Sequence, residues 1–238
     1  MWVAFTFARF RLPIHFLWPD LDDRGMETRD LSHPIETGMP VFPGDPPVSV
    51  EPHATIPEDE YRVRAVACGS HTGTHVDAPS HSEPDGRDID AFGTERFVFD
   101  AVRADCRGRD PRSPIGPDSL PATDAGLLVV QTGWDDHWGT ETYFDHPFLT
   151  PEAARFCADQ GYDVAIDALN VDPTPTDDAA GDEPTGFRAH HALLGNDRLV
   201  FENVTRLAGL PERFELLAFP LNLVDGDGAP VRAVARWD

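Results

Sequence analysis

The chain has 238 residues, 40% of them hydrophobic, which is enough to bury one substantial core. It carries 42 acidic residues against 19 lysines and arginines, for a formal net charge of −23, and all 19 are arginines. Such a negative field repels phosphate backbones, so we expect no nucleic-acid partner. The lack of lysine excludes a P-loop and Schiff-base catalysis. The lack of an apolar run of about 20 residues argues against a membrane partner.

Charge and cysteine content both bear on where the protein works. The acidic residues are spread along the chain, and abundant salt screens their mutual repulsion, which favours a cytoplasmic protein of a halophile. The three cysteines, Cys68, Cys106 and Cys157, contain no C-x-x-C pair. They predict buried thiols in a reducing cytosol and no disulfide framework.

The first 25 residues differ in character from those that follow. They are apolar and aromatic, but Arg9, Arg11 and Pro13 interrupt them, and they lack the cleavage site of a secretory signal. A polar segment opens at Met26. We therefore interpret residues 1–25 as an upstream extension from a misplaced start codon, and residues 26–238 as the domain proper.

In chain order, strands dominate the predicted elements. Thr150 as a cap, Pro151 in the first turn and Gly161 at the end predict a helix over residues 150–161. One or two further helical turns are predicted over residues 189–194, after an acidic loop at 172–184. Alternating or continuous apolar runs predict the strands. These cover residues 61–77, 97–102, 127–132, 164–168, 199–201, 214–220 and 230–235, so we predict a β-rich mixed α/β domain.

The stretch His71-Thr-Gly-Thr-His-Val-Asp-Ala-Pro-Ser-His81 concentrates the usual ligands of a divalent metal. Side chains two residues apart share one face of a strand, so His71, His75 and Asp77 are predicted to project together. Pro79 ends the strand and places His81 on the loop beyond. The spacing predicts a metal site with an additional histidine beside it.

The length of an extended strand restricts how these ligands can meet. Cα atoms four residues apart lie about 13 Å from one another, close to the limit for two histidines that share one ion. Either the chain bends at Gly73, or two metals lie side by side with Asp77 between them. In both cases the remaining ligands must come from elsewhere in the chain.

Three residues in the C-terminal half are candidates for those ligands. Adjacent residues diverge on a helix or a strand, so only one of His190 and His191 should reach the site. Glu202 ends an apolar strand, where a carboxylate is costly unless it is paired or coordinated. An ion pair with Arg198 is the alternative for Glu202. Asp167 and Asp172 could orient ligands, but acidic residues are too abundant here to assign them a role.

The motif resembles the signature H-x-G-T-H-x-D-x-P-x-H of the cyclase family, which includes bacterial kynurenine formamidases and isatin hydrolases. Similar blocks recur from residue 27 to residue 236, among them residues 30–35, 40–46, 131–134, 166–172 and 219–233. The resemblance implies a compact β-rich α/β fold that assembles as a homodimer or a higher homo-oligomer. Within it, residues 26–238 form a metal-dependent hydrolase domain.

The resemblance also assigns roles to individual residues. It implies that His71, His75 and Asp77 are metal ligands, and that His190 and Glu202 complete a site for two Zn²⁺ ions, with Mn²⁺ as the alternative metal. His81 then matches the proton donor and acceptor of the family. The implied reaction is hydrolysis of an aryl formamide, N-formyl-L-kynurenine, to L-kynurenine and formate in tryptophan catabolism.

The substrate is less firmly implied than the chemistry. Where kynurenine formamidases have a tryptophan against the substrate ring, this chain has Phe42, which keeps an apolar face but lacks the indole N–H. An isatin-like cyclic amide or a lactone is therefore the alternative substrate, and packing in the core is the alternative role of Phe42. The alternative functional class is a non-catalytic protein in which the metal only stabilises the fold. The motif contains no cysteine and has a spare histidine, which favours catalysis over a structural zinc site.

Overall fold

The computed structural model of the protein describes residues 25–238. Residues 1–24, and with them all but the last residue of the N-terminal extension predicted over residues 1–25, lie outside the described residues. Three α-helices occur in the described part, at Ile56–Asp59 (α1), Pro151–Gln160 (α2) and Arg188–Leu194 (α3). Its twelve strands are Glu27–Asp30 (β1), Ser49–Ala54 (β2), Val63–Ala67 (β3), His75–Asp77 (β4), Val98–Asp105 (β5), Pro114–Ile115 (β6), Leu127–Gln131 (β7), Phe148–Leu149 (β8), Asp163–Ile166 (β9), Val200–Glu202 (β10), Arg213–Pro220 (β11) and Gly228–Trp237 (β12).

Seven of these strands close into a barrel. The order β12-β11-β5-β7-β9-β10-β4 returns to β12 because the start of β12 also pairs with β4, while β1 adds to the far end of β12. Strands β5, β7, β9 and β10 run parallel, and the remaining pairings of the ring are antiparallel. The prediction of a β-rich mixed α/β domain is confirmed.

Two apolar cores lie on the two faces of the barrel wall. Successive residues of a strand point to opposite faces, so β7, buried along its whole length, supplies both cores. Leu127 and Val129 pack with Phe201 in the core inside the ring. Leu128 and Val130 pack outward, in the core that includes residues of α2 and α3.

Helix α2 forms where its end signals predict it. The Thr150 side chain accepts a hydrogen bond from the Ala153 N–H at 3.2 Å, and Gly161 ends the helix in the left-handed conformation at φ 84°. The buried face of α2, which includes Ala153, Ala154 and Cys157, covers the outer side of the sheet. Within residues 25–238, no helix is both long and apolar enough to cross a bilayer.

The segment over residues 61–77, predicted as largely β, holds two separate strands, β3 and β4. Strand β3 pairs with β2 in a separate two-stranded sheet, and β4 belongs to the barrel. All five residues of β3 are exposed, and Cys68 after it is exposed too, whereas Cys106 and Cys157 are buried as predicted. The alternation of small and polar residues was compatible with a strand but carried no information on its neighbours.

Candidate metal centre

Strand β4 carries two of the predicted ligands into the middle of the sheet. It pairs with β10 on one side and with β12 on the other, and His75 lies opposite Glu202 in the β10 pairing. Val76 and Phe201 point into the core inside the barrel. Because strand residues alternate, His75, Asp77 and Glu202 point to the outer face, where α3 packs above them.

His71 reaches the same site by a turn and not along the strand. It precedes β4, and the chain reverses at Gly73, which has φ 60°. The positive φ favours glycine here, whereas the nearest atom to an added Cβ is the terminal methyl of Met39, at 2.9 Å, on a flexible side chain that can shift. The predicted bend at Gly73 is confirmed, while the placement of His71 on the strand face is wrong.

The buried side chains form two groups of three that share Asp77. One group contains His71, His75 and Asp77, the other Asp77, His190 and Glu202, and within each group the ligand atoms lie within 4.8 Å of one another. Asp77 Oδ1 is 2.6 Å from His71 Nδ1 and 3.2 Å from His75 Nε2. Its Oδ2 is 3.4 Å from His190 Nε2, and Glu202 Oε1 is also 3.4 Å from that nitrogen. Asp77 therefore lies between the two groups with one oxygen toward each.

The second nitrogen of each of these histidines is held by an oxygen acceptor. His75 Nδ1 is 2.8 Å from the Gly73 carbonyl oxygen, and His190 Nδ1 is 2.8 Å from Asp172 Oδ2. His71 Nε2 is 3.0 Å from Asp227 Oδ2. An acceptor at this position keeps the proton on the outer nitrogen and leaves the inner nitrogen with a lone pair for a metal.

The charges of the site fit a divalent cation. Asp77 Oδ2 is buried and has no hydrogen-bond partner among the described residues. Burial, followed by the charge of Asp77, raises the pKa of Glu202 to about 7. Burial alone would also raise the pKa of Asp77, but His75, His190 and His71 hold it well below its usual range. A cation between the two carboxylates would keep both ionised and give Oδ2 a partner.

The second histidine of the predicted pair lies outside this cluster. His190 is buried on α3, whereas His191 is half exposed and its Nδ1 lies 2.7 Å from Glu83 Oε1. Burial of one neighbour and exposure of the other agree with the expectation that only one reaches the site. Glu202 has no contact with Arg198, whose guanidinium donates to the Gly161 carbonyl instead, so the ion-pair alternative is wrong.

A cavity opens beside the ligand cluster. Its volume is about 390 Å³, and His71, His75, His190 and Glu202 form part of its wall. The rest of the wall includes apolar side chains, among them Phe42, Leu169 and Phe187, and polar ones, among them Asp45, Asn170 and Asn203. The ligand cluster therefore faces a cleft of the size that small organic molecules occupy.

His81 and Phe42 both lie on this cavity. His81 ends a short 3₁₀ turn, Pro79–His81, and its ring centroid is 4.0 Å from that of His71. Phe42 is half-buried, and its ring centroid is 5.9 Å from that of Phe187. Phe42 also packs against the outer core. One part of its side chain therefore faces the cavity and another part contributes to core packing.

Two carboxylates at the site were not assigned from the sequence. Asp172 accepts hydrogen bonds from the backbone N–H groups of Ala189 and His190 as well as from the His190 ring. Asp227 contacts the rings of His71 and His81. In a chain with 42 acidic residues, the presence of an aspartate does not by itself indicate a functional site. Only the position in the sequence could have pointed to these two, since Asp172 follows a buried strand and Asp227 lies between two glycines.

Comparison with known proteins agrees with this arrangement. A family model described as "Putative cyclase" matches residues 29–173, which is more than half of the chain. The chain belongs to the cyclase family. Among its cyclase relatives, the kynurenine formamidase of Salinibacter ruber (strain DSM 13855 / M31) is 33% identical over 217 residues, covering 87% of this chain and 96% of that protein. The resemblance inferred from the motif is therefore confirmed.

Solved structures with the cyclase fold include two informative neighbours. A crystal structure of an isatin hydrolase bound to the product analogue thioisatinate has a TM-score of 0.80 and 23% identity, over 89% of this chain and 92% of that one. At this identity the likeness shows the fold alone. A structure described as a "Potential Metal-Dependent Hydrolase With Cyclase Activity" has a TM-score of 0.70 and 28% identity, over 89% of this chain and 98% of that one.

Proposed function

We propose that this cyclase-family chain is a metal-dependent hydrolase of aryl formamides, with N-formyl-L-kynurenine as substrate and L-kynurenine and formate as products. The observation that carries the proposal is the position of buried Asp77, which is shared by two ligand groups whose other members, His71, His75, His190 and Glu202, line a cavity. Kynurenine formamidase is the name of the Salinibacter ruber relative, which aligns over most of both chains. The cyclic amide isatin is the competing substrate.

We assign His71, His75 and Asp77 to one metal and Asp77, His190 and Glu202 to a second, with zinc as the metal and manganese as the alternative. Imidazole nitrogens and carboxylate oxygens are ordinary zinc ligands, and carboxylates also suit manganese. A bound ion of this kind supplies a Lewis acid and a water acidic enough to deliver hydroxide near neutral pH. The protein contributes the fixed orientation of the rings through Gly73, Asp172 and Asp227.

His81 is the residue that we assign to proton transfer. It lies on the cavity beside His71, and a third of its side chain is exposed, so it can exchange protons with solvent. Hydrolysis of a formamide takes one water, breaks the C–N bond and delivers one proton to the departing aryl amine. A histidine near that nitrogen can accept the proton of the attacking water and then donate it to the amine.

The walls of the cavity suit an aromatic substrate. Phe42 and Phe187 form an apolar side with their rings tilted by 53° to each other. An aryl ring that packs against these faces would lie in the same cavity as His75, His190 and Glu202, and Phe187 is close to this cluster, with its ring centroid 6.0 Å from that of His190.

A purely structural metal site fits the geometry less well. Structural zinc sites have four protein ligands and a closed shell, most often rich in cysteine. Here no cysteine lies among the ligands, the ligand groups face a cavity of about 390 Å³, and His81 lies next to them. These features favour a catalytic site.

The proposal is tested by turnover of N-formyl-L-kynurenine in high salt, with Zn²⁺ or Mn²⁺ added to protein stripped by a chelator. We expect turnover with metal and at most a trace without it. Isatin is assayed in parallel on the same preparations. Turnover of isatin without formamidase activity would reassign the substrate, and no metal-dependent hydrolysis of either amide would overturn the enzyme assignment.

Replacement of Phe42 by alanine should weaken substrate binding. Removal of a ring that packs against the substrate costs about 1–3 kcal/mol, which corresponds to a KM increase of roughly 5–150-fold with a much smaller change in kcat. Steady-state kinetics with N-formyl-L-kynurenine measure both constants. Phe219→Ala is the matched control, because Phe219 is 46% exposed on β11 and does not line the cavity. An unchanged KM for Phe42→Ala would leave core packing as its role.

The neighbours His190 and His191 offer an internal comparison for the second metal position. His190→Ala removes the ring that lies 3.4 Å from both Asp77 and Glu202, so we expect the zinc content to fall by about one ion per chain. His191→Ala removes a side chain that lines the cavity and contacts Glu83 but belongs to neither ligand group, so the variant should retain the full zinc content. Atomic absorption after exhaustive dialysis gives both numbers. Equal zinc content in the two variants would contradict the ligand assignment.

A further inference from the structure

We propose that Asp227 is a positioning residue that holds the metal ligand His71 and the proton carrier His81 in a fixed mutual orientation. The inference rests on the proposed function, in which His71 binds metal and His81 transfers the proton. Asp227 is outside the ligand set assigned above and would act only through the two rings.

One carboxylate oxygen lies between the two histidines. Asp227 Oδ2 is 3.0 Å from His71 Nε2 and 3.5 Å from His81 Nδ1. The first distance is an ordinary hydrogen bond and the second is at its outer limit, as is common for catalytic contacts before substrate binds. The ring centroids of His71 and His81 are 4.0 Å apart, so one acceptor can serve both.

The backbone on both sides of Asp227 is fixed against the same region. The Ala78 N–H donates to the Asp227 carbonyl oxygen at 2.9 Å, and the Ile89 N–H donates to that of Gly226 at 2.7 Å. A Cβ at Gly228 would lie 2.6 Å from the Val76 carbonyl oxygen and 2.8 Å from His71 Cε1. Glycine at 228 therefore permits the approach that brings Asp227 to His71.

A carboxylate is the group that suits both contacts. An ionised carboxylate only accepts hydrogen bonds, so it keeps a proton on His71 Nε2 and on His81 Nδ1. His71 Nδ1, which lies 2.6 Å from Asp77 Oδ1, is then the nitrogen left to bind the metal, and His81 Nε2 becomes the nitrogen that exchanges the catalytic proton. An asparagine side chain has the same shape but is neutral, and its NH₂ group can only donate hydrogen bonds.

Asp227→Asn tests the proposal with two independent readouts. Zinc affinity, measured by competition with a chromophoric chelator, reports whether Asp227 orients His71, and it needs no substrate. The kcat and KM for N-formyl-L-kynurenine at saturating zinc report whether Asp227 orients His81. They are measured for the substitution alone and in combination with His81→Ala. Asp225→Asn is the matched control, because Asp225 is exposed two residues away and asparagine tolerates its φ of 53°. Asp227→Ser provides a second variant if the first fails to fold.

We expect the Asp227→Asn zinc affinity to fall by about 10–100-fold, and the kcat by a similar factor with KM within about twofold. In the His81→Ala background the further loss of kcat should stay within about twofold, because a residue that acts through His81 has nothing left to orient. Unchanged zinc affinity, or a kcat loss that is additive with that of His81→Ala, would overturn the proposal. If the wild type shows no turnover, the proposed function fails, and zinc affinity alone decides whether Asp227 holds His71.

Discussion

Replacement of Asp77 by asparagine is expected to remove metal binding at both positions together with the hydrolytic activity. Asp77 places Oδ1 near His71 and His75 and Oδ2 near His190, so one residue serves both ligand groups. Asparagine has the same shape but offers one neutral oxygen and one donor group in place of two charged acceptors. Loss of a residue that orients a ligand costs 10–100-fold in metal affinity, so loss of the shared ligand should cost at least about 100-fold.

Zinc content and thermal stability measure this effect without a substrate. Zinc at about one hundred times its dissociation constant should stabilise the wild-type protein by roughly 2.7 kcal/mol for each bound ion and leave Asp77→Asn almost unchanged. Asp118→Asn controls for the loss of one negative charge, because Asp118 is exposed and lies outside the cavity. Retention of one tightly bound zinc in Asp77→Asn would show that the two ligand groups do not depend on a shared carboxylate.

The second large effect is expected for His81→Ala, which should lower kcat while zinc content stays unchanged. General acid–base catalysis by a positioned side chain contributes about 10²–10⁴-fold, and no other side chain that we assign to the reaction transfers a proton. His53→Ala is a suitable control because His53 is exposed on β2, away from the cavity.

The metal content of His81→Ala separates proton transfer from metal ligation. His81, His71 and Asp227 also lie close enough to hold an ion. If His81 were a ligand, its removal would lower the zinc content and kcat together, and added zinc would restore part of the activity. Loss of kcat at full zinc content would leave proton transfer as its role.

Local elements of the fold follow from short stretches of sequence. Thr150, Pro151 and Gly161 bound α2 within one residue of the prediction, because capping depends on residues adjacent in the chain. The barrel order could not be predicted in this way. The pairing of β4 with both β10 and β12 joins segments about half of the chain apart, and no local pattern encodes which strands meet.

The same distinction holds at the site. Spacing within residues 71–81 was enough to predict His71, His75 and Asp77 as ligands. It left two alternatives, a bend at Gly73 or a second metal, and the structure shows the bend. Selection of His190 over His191 required the resemblance to a family, since a helix and a strand both separate adjacent residues. Asp227 could not be assigned, because it meets His71 only through the closure of β12 onto β4.

The closure of the barrel also determines when the metal centre can form. Strand β4 is made early in synthesis, but its neighbours β10 and β12 are the tenth and last of the twelve strands. Contacts between segments so distant in sequence form slowly, because the entropy of closing a long loop must be overcome first. On a ribosome, a nascent chain that ends before residue 190 has only three of the five proposed ligands, and one that ends before residue 202 still lacks Glu202. The full set of proposed ligands is therefore brought together only late in folding, after most of the chain has been made.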